Sequence, residues 1–460
     1  MVLSLWLSTG APLSIEPKRS FSISYSMRPP LKILHLSHTM LWKLTLVLAV
    51  AVLICEPLAA VSVLSHEQVI DVTWDSDIRP LLVARFPAAT ADQMKTAHSF
   101  AYGGSVIQDL GYYPLGNQLF TNFLHYVRTG DFVAWMIRDA RDINEYAFAL
   151  GALSHYAADA WGHTAVNLSV PILYPKLRDQ FGDWVTYENN REAHLRTEFS
   201  FDVLEVAKHR YNSQQYHDFI GFQVSENLLE RAYRDTYGIA MDTLLHYDDL
   251  TLETFRFAVG RVVPEMTEVA LATHRPQVSH ERQDVAKREF VYELSRADYR
   301  KQFGDKYRRP GIFARILGFL IKLIPFGPAK ILGYRNPTPV AEDYYFLSMD
   351  RAIVEYRNLL RQVRTNHLEF PNRNLDTGRL IRAGDYALAD RTYVALLHLL
   401  AEDRFRHVTP ALRANILAYF GEGVPANGSV KSGDWEKVQA ALIGLKNLTP
   451  TMKGNGAGKS

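Results

Sequence analysis

Apolar and polar positions recur at helical spacing along most of the chain, and the strict alternation typical of β-strands is almost absent. Apolar residues return every three or four positions over four long runs, which span 119–126, 132–153, 341–364 and 385–412. Such periodicity predicts amphipathic helices that pack their apolar faces together. Ser65 is predicted as the N-cap of a helix that begins there, and a further helix is predicted to start within Thr90–Ser99. The pattern therefore predicts an all-α protein.

The same pattern divides the chain into regions of different character. We predict an N-terminal extension with a signal peptide or anchor over 1–60, a helical domain over 61–275, charged helices and a basic apolar segment over 276–340, a helical C-terminal extension over 341–450 and a disordered tail over 451–460. The apolar core at 44–54 follows Lys43 and is too short to span a bilayer comfortably. It is typical of a signal peptide cleaved after Ala60, and the alternative is an uncleaved membrane anchor through 41–60. Either interpretation predicts export to a periplasmic or extracellular location.

The segment 311–334 is apolar but carries Arg315, Lys322 and Lys330. We interpret it as a helix that packs into the protein and is ended by Pro325 and Pro328. The alternative is contact with a membrane surface, because basic and apolar helices can lie in the lipid interface.

Composition narrows the function classes. Hydrophobic residues make up 47% and charged residues 22% of the 460 positions, which excludes wholesale disorder. The net charge of +2 is too small to indicate nucleic acid, so no specific nucleic-acid partner is predicted. The single cysteine, Cys55, lies in the predicted leader, so the mature protein is expected to lack disulfides. These properties do not determine the oligomeric state.

Metal-binding residue types cluster at helical spacing in 147–167. His155, Asp159 and His163 are four residues apart, and each such step turns about 40° around a helix, so all three share one face. His194 and Glu198 repeat this spacing. Imidazoles and carboxylates that converge from one face are typical ligands of zinc, although a buried polar network would use the same residue types. Of the other histidines in this region, His98 is interpreted as structural.

With these residues and the glycine-rich stretch GGSVIQDLGYYP at 103–114, the chain resembles the zinc-dependent phospholipase C family. Members share an all-helical fold with fungal single-strand nucleases and typically hold three zinc ions in a cleft. The resemblance covers about 61–275 and implies a multi-helix bundle with a trinuclear zinc cleft. It implies a first site of Asp109, His125, His155 and Asp159, a second site of His163, His194 and Glu198, and a third site in which His66 and the mature N-terminal amine join Asp159.

Two departures from the family pattern bear on these assignments. The family usually places five residues between the ligands that correspond here to Asp159 and His163, whereas this chain has three. Either His163 is the ligand through an altered local geometry or another residue completes the second site. The family also often begins its mature chain with tryptophan, whereas cleavage after Ala60 would expose Val61.

The activity implied by the resemblance is hydrolysis of a phosphodiester, with two to three zinc ions as cofactor and Asp109 as the catalytic proton acceptor. The HxxxE pair at His194 and Glu198 resembles the phospholipase branch, so phospholipid head groups are the predicted substrate. The alternatives are a nuclease or other phosphodiesterase on the same scaffold and a non-catalytic, metal-stabilised, membrane-associated protein. Nearby aromatic residues are expected either to line the pocket or to pack the core, and these are Tyr112, Tyr113, Tyr156 and Trp161.

Overall fold

The structure is a computed structural model that describes residues 62–207, 221–245, 248–263, 267, 335–421, 423, 425 and 427–448. Within these ranges the chain is helical, and the single strand-like feature is an isolated bridge between Arg373 and Leu380. The predicted all-α class is confirmed. Among the described residues, no helix is both long enough and apolar enough to cross a membrane.

Several predictions fall outside the described residues. These are the leader over 1–60 with its apolar core at 44–54, the basic apolar segment at 311–334 and the tail at 451–460. The regional boundaries at 275 and 340 also fall at or near such stretches and stay predictions.

The described residues form fourteen α-helices. They are α1 Leu64–Thr73, α2 Arg79–Arg85, α3 Ala91–Val106, α4 Gln118–Tyr126, α5 Thr129–Asp139, α6 Ile143–Leu173, α7 Pro175–Phe181, α8 Arg191–Ala207, α9 Glu226–Tyr237, α10 Asp248–Phe257, α11 Pro339–Arg364, α12 Ala387–Glu402, α13 Pro410–Tyr419 and α14 Ser432–Lys446. Shorter π- and 3₁₀-helical turns lie at Trp74–Ile78, Ile107–Tyr112, Met241–Thr243 and Ala258–Val262.

Helix α6 is the central element, with 31 residues of which most are buried. Two glycines bring α3 and α6 into close backbone contact: a Cβ at Gly104 would meet Phe148 O at 2.0 Å, and one at Gly151 would meet Ala101 O at 2.1 Å. Helix α11 also contacts α6, where the Tyr356 hydroxyl donates to Leu150 O at 2.9 Å. The central helix is therefore enclosed by neighbours on more than one side, which fixes the orientation of its polar face.

Two predicted helices are interrupted, and their predicted extents were wrong. The run at 132–153 breaks between α5 and α6, where the Asp142 side chain accepts hydrogen bonds from the first backbone amides of α6. The run at 385–412 breaks after α12, where Arg404 and Phe405 adopt left-handed φ values of 54° and 58° before Pro410 starts α13. Apolar spacing continues across both breaks, so periodicity alone did not reveal them.

The two predicted helix starts had different outcomes. The start at Thr90–Ser99 is confirmed, and Thr90 caps α3 in a capping box with Gln93. Ser65 lies inside α1, so its prediction was wrong. The start of α1 is capped by Asp202 of α8, whose carboxylate accepts hydrogen bonds from the amides of residues 63, 64 and 65 at 2.7–3.0 Å. A residue distant in sequence thus performs the capping and ties α1 to α8.

The C-terminal extension packs directly against the helical domain. Tyr345 of α11 stacks on Phe201 of α8 with ring centroids 4.5 Å apart. The loop after α11 makes main-chain hydrogen bonds to α4, where Leu375 N donates to His125 O at 3.1 Å. A Cβ at Gly130 would meet Phe370 O at 2.3 Å, which shows how closely this loop approaches α5. The loop therefore reaches the helices that carry the predicted ligands.

Candidate metal centre

The predicted site residues come from five separate elements that converge beside α6. His66 lies on α1, Asp109 in the 3₁₀ turn after α3, and His125 on α4. His155, Asp159 and His163 share one face of α6, while His194 and Glu198 share a face of α8. Because α3 and α6 approach so closely, the turn at Ile107–Tyr112 is held against the α6 face. The convergence is a property of the tertiary packing.

The first cluster consists of Asp109, His125, His155 and Asp159, and a metal-ligand atom from each lies within 4.8 Å of those from the others. Asp159 Oδ2 is 3.2 Å from His125 Nε2 and 3.0 Å from His155 Nε2. Asp109 Oδ1 is 3.3 Å from His125 Nε2. All four side chains are buried. Two nitrogens and two carboxylates form a donor set that zinc accepts.

Backbone carbonyls orient the two histidines of the first cluster. His125 Nδ1 lies 2.9 Å from Thr121 O, and His155 Nδ1 lies 2.9 Å from Ser105 O. A carbonyl only accepts, so both Nδ1 atoms carry protons, and in the neutral rings both Nε2 atoms present lone pairs. These two Nε2 atoms are 3.5 Å apart. Both Nε2 atoms face Asp159 Oδ2, and Nδ1–H donation to a carbonyl is the usual support of zinc-binding histidine.

The second cluster consists of His163, His194 and Glu198. Glu198 Oε1 is 3.0 Å from His163 Nε2 and 2.9 Å from His194 Nε2. His163 reaches this position from a regular stretch of α6, without a bulge, despite its short spacing from Asp159. The assignment of His163 as a ligand stays a prediction, and its ring is close enough to take that role.

Asp159 faces both clusters with different oxygens. Its Oδ2 contacts the first cluster, whereas its Oδ1 lies 3.6 Å from His163 Nε2 and 3.4 Å from His66 Nε2. A carboxylate with one oxygen toward each of two sites has the geometry of a bridging ligand. The predicted third site has one described member beside Asp159, His66, because Val61 lies outside the described residues.

The electrostatics of the centre favour positive charge. Burial alone would raise the pKa of Asp159, but His155 and His163 hold that pKa well below its usual range. Burial alone would likewise raise the pKa of Glu198, but His194 and His163 bring it to about 2. Burial would lower the pKa of His125, yet hydrogen bonds that its ring donates to the carboxylates of Asp109 and Asp159 raise this pKa to about 10. The carboxylates therefore stabilise a cation at this place.

The pKa of His66 shifts in the opposite direction to that of His125. Burial, followed by the nearby His155, lowers the pKa of His66 to about 4. The His66 ring stacks on that of His155 with centroids 4.5 Å apart. His66 is therefore neutral at physiological pH, which is the form of imidazole that binds metal.

One acidic residue of this centre was not predicted. Asp376, in the loop between α11 and α12, places Oδ1 3.4 Å from His163 Nδ1 and 3.6 Å from His194 Nε2. It lies in NLDTG, which carries no helical spacing. The sequence marks this stretch as a turn, but it contains no signal that the turn contacts residues some 200 positions earlier.

His98 lies outside the centre, as its structural interpretation requires. Its ring stacks on Trp74 with centroids 3.7 Å apart, and its Nε2 is 3.1 Å from Asp71 Oδ1. Asp71 also accepts a hydrogen bond from the Tyr102 hydroxyl. His98 thus belongs to a buried polar network between α1 and α3.

A narrow pocket with room for about one water molecule reaches both clusters and opens to solvent. Three tyrosines line it: Tyr112, Tyr126 and Tyr187. Of the four aromatic residues considered in the sequence, Tyr112 lines this pocket. The other three pack elsewhere: Tyr113 against Phe255, Tyr156 through its hydroxyl to Pro371 O, and Trp161 against the guanidinium of Arg373. Tyr126 and Tyr187 were missed because neither stands in a motif.

Part of the chain is similar to a known protein family. Residues 78–247 match the zinc-dependent phospholipase C family. This confirms the resemblance for that segment, which contains seven of the predicted site residues and excludes His66 and Asp376. No curated protein and no solved structure matches the chain. The zinc prediction is supported by the family and by two clusters that can hold metal ions.

Proposed function

We propose that this protein is an exported, zinc-dependent phosphodiester hydrolase of the phospholipase C type that acts on phospholipid head groups. The family match supports the hydrolase class. The observation that carries the proposal is the arrangement of Asp159, whose two oxygens face two separate clusters of nitrogen and oxygen donors. Paired metal sites that share a carboxylate suit in-line displacement at phosphorus.

The chain's own residues prepare this centre for chemistry. Zinc bound there would supply positive charge to phosphate oxygens and a water acidic enough to attack at neutral pH. His125 and His155 hold their Nε2 atoms toward the centre through their carbonyl partners. Asp159 holds the two clusters in register because each of its oxygens faces one of them. The burial of both clusters keeps bulk water away from the charges.

Asp109 is the proposed proton acceptor. Among the described ion pairs of the centre, Asp159 and Asp376 have both oxygens engaged, whereas Asp109 and Glu198 use one each. A pKa of about 2 makes Glu198 a poor base at neutral pH. Asp109 lines the pocket and has one oxygen left to take a proton from an attacking water.

The mouth of the pocket suits an anionic substrate with a cationic head group. The Arg191 guanidinium lies 5.4 Å from the centre of the Tyr112 ring and donates to Gln118 Oε1 at 3.1 Å. It adds positive charge beside the opening, where a phosphodiester would enter. Tyr112 and Tyr187 have ring centroids 5.7 Å apart, and aromatic faces attract quaternary ammonium groups such as choline. The same faces can stack a nucleobase, so the experiment must separate these substrates.

Export is a further part of the proposal and rests on the apolar sequence at 44–54. Expression from Met40 with its leader, followed by N-terminal sequencing of the secreted protein, tests it. Cleavage after Ala60 is expected. Retention of the whole leader in the membrane fraction would instead indicate the anchor.

The decisive experiment measures hydrolysis of phosphatidylcholine vesicles and of p-nitrophenyl thymidine phosphate by the zinc-loaded protein. Release of phosphocholine, with far slower cleavage of the nucleotide ester, is expected. Asp109→Asn should lower the rate about 100- to 1000-fold, the range for loss of one key active-site group. Asp92→Asn, which changes an exposed carboxylate on α3, should leave it unchanged. A zinc-loaded protein inactive on both substrates would contradict the proposal.

A further inference from the structure

Asp376 comes from outside the segment that matches the family, yet it lies among the residues of the second cluster. Its carboxylate is nearly fully buried, with a side-chain exposure of 2%. It lines the same pocket as His163, His194 and Glu198. An acidic side chain at such a position is either an essential partner of positive charge or a source of instability.

The local conformation of the loop fixes the direction of this carboxylate. Asn374 Oδ1 accepts hydrogen bonds from Asp376 N at 3.0 Å and Thr377 N at 3.2 Å, which forms a tight turn. The Tyr386 hydroxyl donates to Asp376 Oδ2. One carboxylate oxygen is thereby engaged, and the other, Oδ1, is directed at the two imidazoles.

Contacts to α6 hold the loop in place. Asn167 Nδ2 of α6 donates to Asp376 O at 2.7 Å. Gly378 has a φ of +70°, and a Cβ there would meet Ala160 O at 2.2 Å, so the loop backbone lies directly on α6. Asp376 is thus positioned by the same helix that carries Asp159 and His163. These contacts show that the loop packs specifically against α6.

The second cluster lacks the internal hydrogen bonds that support the first. Among the described residues, neither ring nitrogen of His194 makes a hydrogen bond, although the ring is 1% exposed. His194 Nε2 nevertheless lies 2.9 Å from Glu198 Oε1 and 3.6 Å from Asp376 Oδ1. Atoms that approach closely without pointing at one another are expected when they converge on a common point.

The separations match a four-ligand site. Zinc bonds of about 2.0–2.1 Å at tetrahedral angles place ligand atoms about 3.3 Å apart. Glu198 Oε1 lies 2.9 Å from His194 Nε2 and 3.0 Å from His163 Nε2. Asp376 Oδ1 lies 3.6 Å from His194 Nε2, which is the nitrogen it shares with Glu198, and 3.4 Å from His163 Nδ1, on the other side of that ring. The three predicted ligands of this cluster leave one tetrahedral position open, and Asp376 Oδ1 is the additional oxygen beside both histidines.

We propose that Asp376, supplied by the C-terminal extension, is a fourth protein ligand of the zinc ion in the second cluster. This inference rests on the proposed function for the presence of zinc. It resolves the choice left by the short spacing before His163, because His163 takes part in the cluster and a further residue completes it. It also gives the extension a direct role at the centre.

A positioning role is the competing explanation. A carboxylate that accepted a hydrogen bond from His163 Nδ1 would orient the ring without binding metal. That atom has no hydrogen bond among the described residues, despite its distance of 3.4 Å from Asp376 Oδ1. The distance of 3.6 Å from Asp376 Oδ1 to His194 Nε2 is the contact that an orienting role toward His163 does not explain, and the experiment below distinguishes the two roles.

The test uses the full chain and measures zinc content and affinity in zinc-buffered dialysis, together with the visible absorption of Co²⁺-substituted protein. Asp376→Asn keeps the shape of the side chain and should lose one zinc ion per chain, or weaken that ion more than 100-fold, with a changed Co²⁺ spectrum. Asp390→Asn is the matched control. Asp390 is a buried carboxylate of the same extension that accepts from the Tyr419 hydroxyl and contacts no residue of the centre.

The outcomes separate the two proposals. Zinc content and affinity in Asp376→Asn equal to those of Asp390→Asn would overturn the ligand assignment while the proposed function stands. A 10- to 100-fold weakening with an unchanged Co²⁺ spectrum, the effect of a group that orients a ligand, would also overturn it. A wild-type protein that binds no zinc would end both proposals. Circular dichroism of each metal-free variant shows whether the fold is retained.

Discussion

The two clusters contain the same residue types but are supported in different ways. In the first cluster, His125 and His155 are each fixed by a main-chain carbonyl, and the His155 side chain is fully buried. In the second, His194 has no hydrogen bond among the described residues, and the His163 side chain is 14% exposed. A residue of the C-terminal extension, Asp376, stands beside both of these rings.

This difference indicates how each cluster depends on the rest of the fold. The carbonyl partners of the first cluster belong to α3 and α4, so its geometry follows once the central helices have packed. The second cluster is completed by a loop that docks on α6 from more than 200 positions later in the chain. The geometry of the first cluster should therefore tolerate changes in the C-terminal extension, whereas that of the second cluster should not.

Asp159→Asn should produce the largest effect because it removes the one charge that both clusters share. We expect loss of more than one zinc ion per chain and a fall in hydrolysis of about 1000-fold or more. Elemental analysis and the phosphocholine assay measure both quantities. Full zinc stoichiometry in the variant would show that the carboxylate does not bridge the clusters.

Gly378→Ala should weaken zinc binding in the second cluster without affecting the first. The added methyl group would lie 2.2 Å from Ala160 O and would impose a positive φ on alanine, so the loop that carries Asp376 must shift. A cost of about 2–4 kcal/mol in unfolding free energy is expected from overpacking and backbone strain. Zinc in the second cluster should weaken at least tenfold, while zinc in the first is retained.

Gly182→Ala is the matched control for that variant. Gly182 has a similar φ of +85°, but a Cβ there would meet nothing within 4 Å. Its ψ of −159° places it in a region that is essentially restricted to glycine, so alanine there should lower stability through backbone strain without the close approach and leave both zinc sites intact. Equal losses of zinc from both clusters in Gly378→Ala would contradict the independence of the first cluster.

The contrast between the clusters also explains what the sequence could and could not reveal. The grouping of the candidate ligands on α6 and α8 was predictable because helical spacing is local and places these residues on shared faces. The family resemblance indicated the remaining candidates, whose side chains the structure brings to the same place. The position of Asp376 was not predictable, because the sequence of a turn does not indicate which surface the turn packs against. The interrupted helices were missed for a related reason, since apolar spacing persists through both breaks.

The pH dependence of the metal-free protein includes a contribution from His66, which the comparison with a His66 variant isolates. Its pKa of about 4 in the folded state lies below 6.5, so the unfolded chain binds this proton more readily. The stability it contributes is complete above pH 6.5 and is lost as the pH falls through about 4, by up to about 3 kcal/mol. The raised pKa of His125 acts outside this window, because its contribution is already complete below pH 6.5.

Urea unfolding of chelator-treated protein at pH 7 and pH 4.5 measures this loss. His66→Gln should flatten the dependence, whereas His367→Gln, which changes an exposed histidine, should not. An unchanged pH dependence in His66→Gln would show that this imidazole is not held neutral by its surroundings.

His98→Ala should have the smallest effect on the centre, because His98 serves the network of Asp71 and Tyr102 rather than either cluster. Removal of its ring leaves a cavity beside Trp74, so a loss of about 2 kcal/mol in unfolding free energy is expected. Zinc content and the rate of phosphocholine release should equal those of wild type. His155→Ala provides the contrast, since it removes a buried ring from the first cluster and should lose zinc. A His98→Ala protein that folds but loses zinc would mean that the network between α1 and α3 positions His66, and that the first cluster is less independent than its carbonyl partners suggest.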